Sequence, residues 1–419
     1  MLKKLFAFFT VFIALSGIAV AEDKSVSDKA AAAEIQAEAP AKGITLYAYI
    51  ENSGSMDGYV NGMSTFKSDL YSMFSNSSIS ALKMYYINSK VIGPKKDAKK
   101  FILNLTPASF KAEGGMRNSS DIADIVDRVL KMVSEDKIVL LASDFIFSPQ
   151  AEYRKNVPGY LKLQQEDIKN SVGRMIKNDS DNKYAIVFLQ GQSYFDGWFY
   201  DIYDKPSKKQ VDRPYYILMA GNKKMIAELL HKTKKVTHFV NSYSEFAPME
   251  VKYEIVDNHA KQIGDLKLKE NRDGRDPHRI VRYVPAKDFD TRKKVFQFVI
   301  AADLSCVPLH DSYLMDVNNY KLSDPSYKIR EINLIDEKPG FTHEFVIYAE
   351  ERIPPAKLEI MLVNRKPNWI NEHNDDNGTE FKQDKTFGLA DLTEGITSAY
   401  KEYSRSGKHH FKIEISIER

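Results

Sequence analysis

Between Ile44 and Lys232 the chain alternates continuous apolar runs with amphipathic segments of helical period, an order that few architectures accept. "ITLYAYI", "KIVLLASD", "KYAIVFLQ" and "PYYILMAG" are short, apolar and rich in β-branched and aromatic residues, as strands buried on both faces require. "LKMYYINSKVI" is also strand-like. The segment from Met63 to Phe74 sets Met63, Phe66, Leu70, Met73 and Phe74 on one helical face. "NSSDIADIVDRVLKMV" carries the stripe Ile122, Ile125, Val126, Val129 and Met132, with Asn118 or Ser119 as its cap. "YLKLQQEDIKNSVGRMIKN" and "NKKMIAELLHK" complete the helical set. Strands and helices alternating at this length predict an α/β fold, a mostly parallel sheet with helices on both faces.

From about Pro248 the texture changes. "VKYEIVD", "VFQFVIAADL", "YKIREINLI", "THEFVIYAE", "KLEIMLVN" and "HHFKIEISIE" are short runs broken by Pro, Gly, Asn and Asp, which predicts an antiparallel β-sandwich or barrel-like unit. One helix, near Leu389 to Tyr403, interrupts it. With 419 residues there is room for about two domains. The expected division is an α/β domain over 44–245 and a β-rich domain with one inserted helix over 246–419.

The first residues read as an address. Lys3 and Lys4 precede an apolar run from Leu5 to Ile18, and Ala19-Val20-Ala21 gives the small-residue pattern of a cleaved secretory signal. Cleavage is expected before Glu22, and the apolar run is short for a bilayer span. Residues 22–43, rich in Ala, Lys, Glu and Ser, read as a flexible tether. This predicts an exported bacterial protein, periplasmic or secreted, of a Gram-negative cell, with no membrane span once the leader is removed.

Charge and cysteine content narrow the partners. The formal net charge is +3, and cleavage removes Lys3 and Lys4 with no acid, leaving +1. That balance gives no footprint for nucleic acid or an anionic membrane surface. A single cysteine, Cys306 in "FVIAADLSCVPL", excludes an internal disulfide and is expected to be buried. The nine histidines form no H-E-x-x-H pair, no phosphate-cradling G-x-x-x-x-G-K-[ST] loop occurs, and Ser53 lies outside any G-x-S-x-G. The aromatic segment "QSYFDGWFYDIYDKPSKKQ" reads as an edge hairpin over the core. Asp375 and Asp376 read as a solvated acidic turn, with a calcium site as the alternative.

The chemistry-bearing residues follow the first strand. Ligands in open α/β sheets gather at the carboxyl ends of strands, and there the sequence reads Glu51-Asn52-Ser53-Gly54-Ser55-Met56. A carboxylate and two hydroxyls at alternate positions make an oxygen-rich turn suited to a hard divalent cation. This segment resembles the Asp-x-Ser-x-Ser loop of von Willebrand A domains, including the intervening Gly and the Met that follows. "EGGMRNSSDI" resembles the family's second loop, where Ser120 is the best match to its ligating Thr and Ser119 stands next to it. "IVLLASD" resembles the strand ending in the third-loop acid, here Asp144. The resemblance covers roughly Ile44 to Val240 and departs at Glu51, where the family has Asp, and at the second-loop Ser, where it has Thr.

The resemblance implies a Rossmann-like domain that binds magnesium, manganese or calcium through Glu51, Ser53, Ser55, Ser120 and Asp144. It further implies a protein partner whose acidic side chain completes the metal's coordination, without turnover. Glu51 carries an extra methylene, which converts a water-mediated contact into a direct one or spoils the octahedral geometry that magnesium demands more strictly than calcium. Asp57 stands near enough in sequence to add charge. The alternatives are a scaffold subunit of an envelope assembly with a dead metal site and, below it, a metal-dependent hydrolase lacking a general base beyond Glu51.

Overall fold

The first strand, β1 (Ile44–Glu51), is apolar throughout because both its faces are covered: Leu46, Ala48 and Ile50 enter one core, Tyr47 and Tyr49 another. The computed structural model describes residues 43–118, 120–284, 295–335, 338–350, 356–404 and 408–418. The expected signal segment and the tether as far as Lys42 lie outside them, as does Ser119. Along the chain follow α1 (Thr65–Phe74), β2 (Ile79–Ile87), β3 (Val91–Lys95), α2 (Ala98–Leu103), α3 (Pro107–Ala112), α4 (Ile122–Leu130) and β4 (Lys137–Ser143). Then come α5 (Val157–Lys177), β5 (Tyr184–Tyr200), β6 (Pro206–Asn222), α6 (Lys223–Thr233) and β7 (Phe239–Phe246).

These strands form a seven-stranded sheet of order β3-β2-β1-β4-β6-β5-β7. Its centre, β2-β1-β4, is parallel, as the alternation of strands and helices predicts. The flanking pairs are antiparallel, so that β1, β2, β4 and β5 run one way and β3, β6 and β7 the other. For β5 and β6 the reason lies in the aromatic segment read as an edge hairpin. It continues β5 and β6 outward as a hairpin with arms of 17 residues each. A tight hairpin needs no crossover helix, and it makes its strands antiparallel. Helices α1 and α6 cover one face, through Phe66, Leu70, Ile226 and Leu229. Helices α4 and α5 cover the other, through Ile125, Val126, Ile168 and Val172.

Two helix starts differ from expectation. Helix α1 is capped by Ser64, whose side chain accepts from Lys67 N, so Met63 falls before the helix and is 72% exposed. Helix α4 is capped by Asp121, which accepts from Asp124 N, and not by Asn118. It ends at Leu130, leaving Met132 beyond its stripe. In both cases a nearer oxygen satisfies the free amides of the first turn and sets the start of the helix.

The later strands are β8 (Lys252–Val256), β9 (Asp265–Asn271), β10 (Gly274–Val284), β11 (Val295–Asp303), β12 (Tyr320–Leu322), β13 (Tyr327–Leu334), β14 (His343–Glu350) and β15 (Ala356–Val363). A short helix, α7 (Asp311–Leu314), precedes β12; α8 (Trp369–Glu372), the short strands β16 (Asn374–Asp375) and β17 (Thr386–Phe387), α9 (Leu389–Tyr403) and β18 (His409–Ile417) complete the chain. They build a five-stranded sheet, β12-β15-β18-β10-β9, and a four-stranded sheet, β13-β14-β11-β8. Within these two sheets all pairs are antiparallel except β10 with β18, and β16 and β17 form a separate parallel pair. Apolar side chains of both, including Phe298, Phe345, Ile360 and Ile413, share one core with the face of the large sheet that α1 and α6 cover.

Residues 43–419 form one compact unit, and α9 shows why. This helix does not cap the smaller sheets but joins α5 over the second face of the large one. Gly395 allows the approach, since a Cβ there would lie 2.7 Å from Gln165 O. Cys306 is partly rather than fully buried, with burial raising its thiol pKa. Asp375 is not a solvated turn residue either: it is buried, and it accepts from Lys382 Nζ at 2.6 Å and from Gly378 N at 3.1 Å. Among the described residues no helix is long and apolar enough to cross a membrane.

Candidate metal centre

The sheet reverses its direction of winding between β1 and β4, since β2 and β3 lie to one side and the later strands to the other. Because β1 and β4 are parallel, their carboxyl ends meet at that reversal, where a crevice for ligands forms. Glu51 is the last residue of β1 and Asp144 follows the last residue of β4. Both are essentially sealed, at 1% exposure each.

The loop hydroxyls converge on these carboxylates. Ser120, just ahead of α4, donates to Glu51 Oε1 at 2.5 Å. Ser143, at the end of β4, donates to Glu51 Oε2 and accepts from Phe145 N at 2.7 Å. Ser53 and Ser55 share a hydroxyl contact at 3.0 Å, and Ser55 stands close enough to Asp144 to favour its charged form. Glu51, Ser53, Ser55, Ser120 and Asp144 thus occupy one cluster, although they come from three separate parts of the chain.

Burial, then the neighbouring Asp144 charge, pushes Glu51 up to about 7 against the hydroxyls that favour its carboxylate. Burial raises Asp144 as well, opposed first by the positive charge of Arg213. Two carboxylates in one low-dielectric site resist ionising together unless a cation joins them. Asp144 Oδ2 is buried with no hydrogen-bond partner. Two carboxylates, one of them with this spare oxygen, and three hydroxyls are a donor set that fits a hard divalent ion. Among the described residues no three His, Cys, Asp or Glu side chains come together for that purpose, so neutral oxygens would carry much of the coordination.

A frame holds the loops in place. Asn88 donates to Asn52 Oδ1 at 2.7 Å and to Gly114 O at 2.9 Å, tying the first loop to the second. Gly115, at φ +83°, leaves that amide room, since a Cβ would lie 2.1 Å from Asn88 Oδ1. Arg117 donates to Asn52 O at 2.6 Å and Ser53 O at 3.0 Å and pairs with Asp57. Asp57 is therefore engaged by Arg117 rather than aimed at the cluster. Phe145 takes φ +49°, a costly conformation for a bulky residue, directly after Asp144.

Above the cluster lies a cleft of about 400 Å³ whose walls include Ser53, Ser55, Ser120, Phe147, Tyr200 and Asp201. The serines line it, while the two sealed carboxylates do not. Sequence patterns missed Ser143, Arg117, Asn88 and Arg213. Ser143 had a signal, its position next to Asp144 at the end of an apolar strand. The others act from a distance in sequence that no local pattern spans. No protein-family model matches the chain, and no curated protein does.

Proposed function

We propose that the chain is a binding module of the von Willebrand A type, in which Glu51, Ser53, Ser55, Ser120 and Asp144 hold a divalent cation. Such an ion would supply an open position that an acidic side chain of a protein partner completes. The observation that carries this reading is the convergence of three distant loops on one buried carboxylate cluster at the sheet's reversal. Glu51 and Asp144 provide the charge, the serine hydroxyls line the way in, and the cleft walls would set which partner fits. The Lys-containing leader supports export, so the partner is expected in the periplasm or outside the cell.

The second reading, a metal-free scaffold, has one observation in its favour. Both Glu51 oxygens are already engaged by hydroxyls, and a protonated Glu51 beside an Arg213-balanced Asp144 is close to neutral. One experiment separates the two readings: the thermal midpoint of the mature chain in chelator, then with magnesium, manganese or calcium, beside Asp144→Ala. An ion that binds only the folded state adds about 2.7 kcal/mol at a hundredfold excess over its dissociation constant. A rise that Asp144→Ala abolishes supports the cation site. No rise with any ion sinks it and leaves the scaffold.

A further inference from the structure

Among the described residues Arg213 is the largest side chain that is fully buried, at 0% exposure, and neither its Nε nor either Nη has a hydrogen-bond partner. It is enclosed by rings: its guanidinium carbon lies 5.5 Å from the Phe195 centroid, 5.1 Å from Phe199 and 5.4 Å from Phe381. Phe195 and Phe199 belong to β5, and Phe381 comes from the late segment that folds back over the hairpin. Ring faces attract a cation but do not replace the hydrogen bonds a buried guanidinium loses. A buried charge left in this state is destabilising by several kcal/mol unless an opposite charge answers it.

The strand register identifies that charge. β4 and β6 pair antiparallel, with Ala142 opposite Ile217 and Ser143 opposite Tyr216. Carried one step further, this register sets Asp144 beside Tyr215, with Arg213 two residues on and facing the same way. Ala142, Tyr215 and Ile217 all enter the same core, which fixes the face. Diagonal neighbours on one face of adjacent strands stand ~7–8 Å apart, within reach of a long side chain. Asp144 is itself sealed and holds the unpartnered Oδ2. The register thus brings the two unsatisfied groups to the same end and face of the sheet without an ion pair between them, and Arg213 is the strongest influence favouring the charged form of Asp144.

We propose that Arg213 is a counter-cation built into the site, neutralising Asp144 when no divalent ion is present and holding the site's affinity for such ions low. The part concerning affinity rests on the cation reading above; the pairing of Arg213 with Asp144 does not. A dication entering the cluster meets a fixed positive charge across a low-dielectric gap, and the two repel. The rings seal Arg213 from solvent, so it cannot swing out to relieve that repulsion. Arg213 therefore acts on the ion through Asp144 and not as a ligand.

The test uses the mature full chain and two measurements. In chelator, a double-mutant cycle of Arg213→Met and Asp144→Asn is read by urea unfolding. With manganese as the probe, the dissociation constants of the wild type, Arg213→Met and Arg213→Lys are compared by calorimetry. The expected results are a double variant more stable than the sum of the two losses, and manganese bound at least about tenfold tighter by Arg213→Met. Arg213→Lys, which keeps the charge, is expected to stay within about threefold of the wild type. Additive losses in the cycle overturn the pairing, and equal manganese affinity in Arg213→Met and wild type overturns the effect on affinity. Coupling in chelator with no manganese binding by any variant upholds the pairing and sinks the cation reading instead. If Arg213→Met does not fold, Arg213→Gln takes its place in both measurements.

Discussion

Ser120 donates its hydroxyl to Glu51 Oε1 at 2.5 Å, joining residues 69 positions apart in the chain. The other Glu51 oxygen takes the Ser143 hydroxyl, so each carboxylate oxygen has its own donor inside a sealed site. The extra methylene that distinguishes Glu from Asp carries the carboxylate out to these hydroxyls. Removing either donor leaves a buried carboxyl oxygen short of a partner, at a cost of about 1–3 kcal/mol. Ser143→Ala is expected to lose more than Ser120→Ala, because it also strands Phe145 N. Urea unfolding at neutral pH in chelator measures both, and an unchanged midpoint in Ser143→Ala would show that the network contributes nothing.

Arg117 spans three oxygens of the first loop, those of Asn52, Ser53 and Asp57. Its planar fork suits separated acceptors in a way that a single ammonium does not. Arg117→Ala is expected to destabilise by about 2 kcal/mol, and Arg117→Lys to recover less than half of that. Asp57, raised by burial and held down by Arg117, should then titrate higher still. Carboxyl titration by NMR reads that change, and a fixed Asp57 pKa in Arg117→Ala argues against the pair.

The sequence exposed the parts of the fold that local periodicity controls. β1 and β4 were legible as apolar runs because both faces of each are covered, and α9 because its stripe is long and regular. The direction of β6 followed from the aromatic segment, read as a hairpin, but those of β3 and β7 were not legible in any local pattern. Nor was the destination of α9, which is decided by the match between Gly395 and α5. At the site, Glu51, Ser53, Ser55 and Asp144 sit at strand ends and could be read from position. Arg213 could not: in "VDRPYYILMAG" it looks like an ordinary charged residue ahead of a strand, and only the register brings it to the carboxyl end of β4.

Gly114 and Gly115 both have positive φ, at +78° and +83°, but their surroundings differ. A Cβ at Gly114 meets nothing within 4 Å, whereas one at Gly115 drives into the Asn88 amide. Gly114→Ala should therefore cost only the left-handed backbone penalty, about 1 kcal/mol. Gly115→Ala adds the loss of the Asn88 bridge between the loops, for about 2–3 kcal/mol in all. Asn88→Ala combined with Gly115→Ala relieves the clash, and the pair should be clearly non-additive in denaturant unfolding. Equal effects at the two glycines would remove the bridge from the account of the site.

Glu51 makes the metal-free protein sensitive to pH in a direction its burial fixes. Its carboxyl stands at about 7 in the folded chain against an ordinary 4.5, burial being the first cause and Asp144 the second. Between those values the folded state holds a proton that the unfolded state has lost, so stability falls as pH rises. The full contribution is present below about pH 4.5 and is gone above about pH 7, a difference on the order of 3 kcal/mol. Glu51→Gln, which carries no proton to lose, should flatten that slope and be more stable than wild type at pH 8 in chelator. A bound dication reverses the trend, since it competes with the proton and gains affinity as Glu51 ionises. Thermal midpoints from pH 4.5 to 8, in chelator and in manganese, therefore form opposing curves for the wild type and neither for Glu51→Gln. A wild-type midpoint that is flat with pH in chelator would mean that Glu51 is ionised in the folded chain, with its charge already compensated.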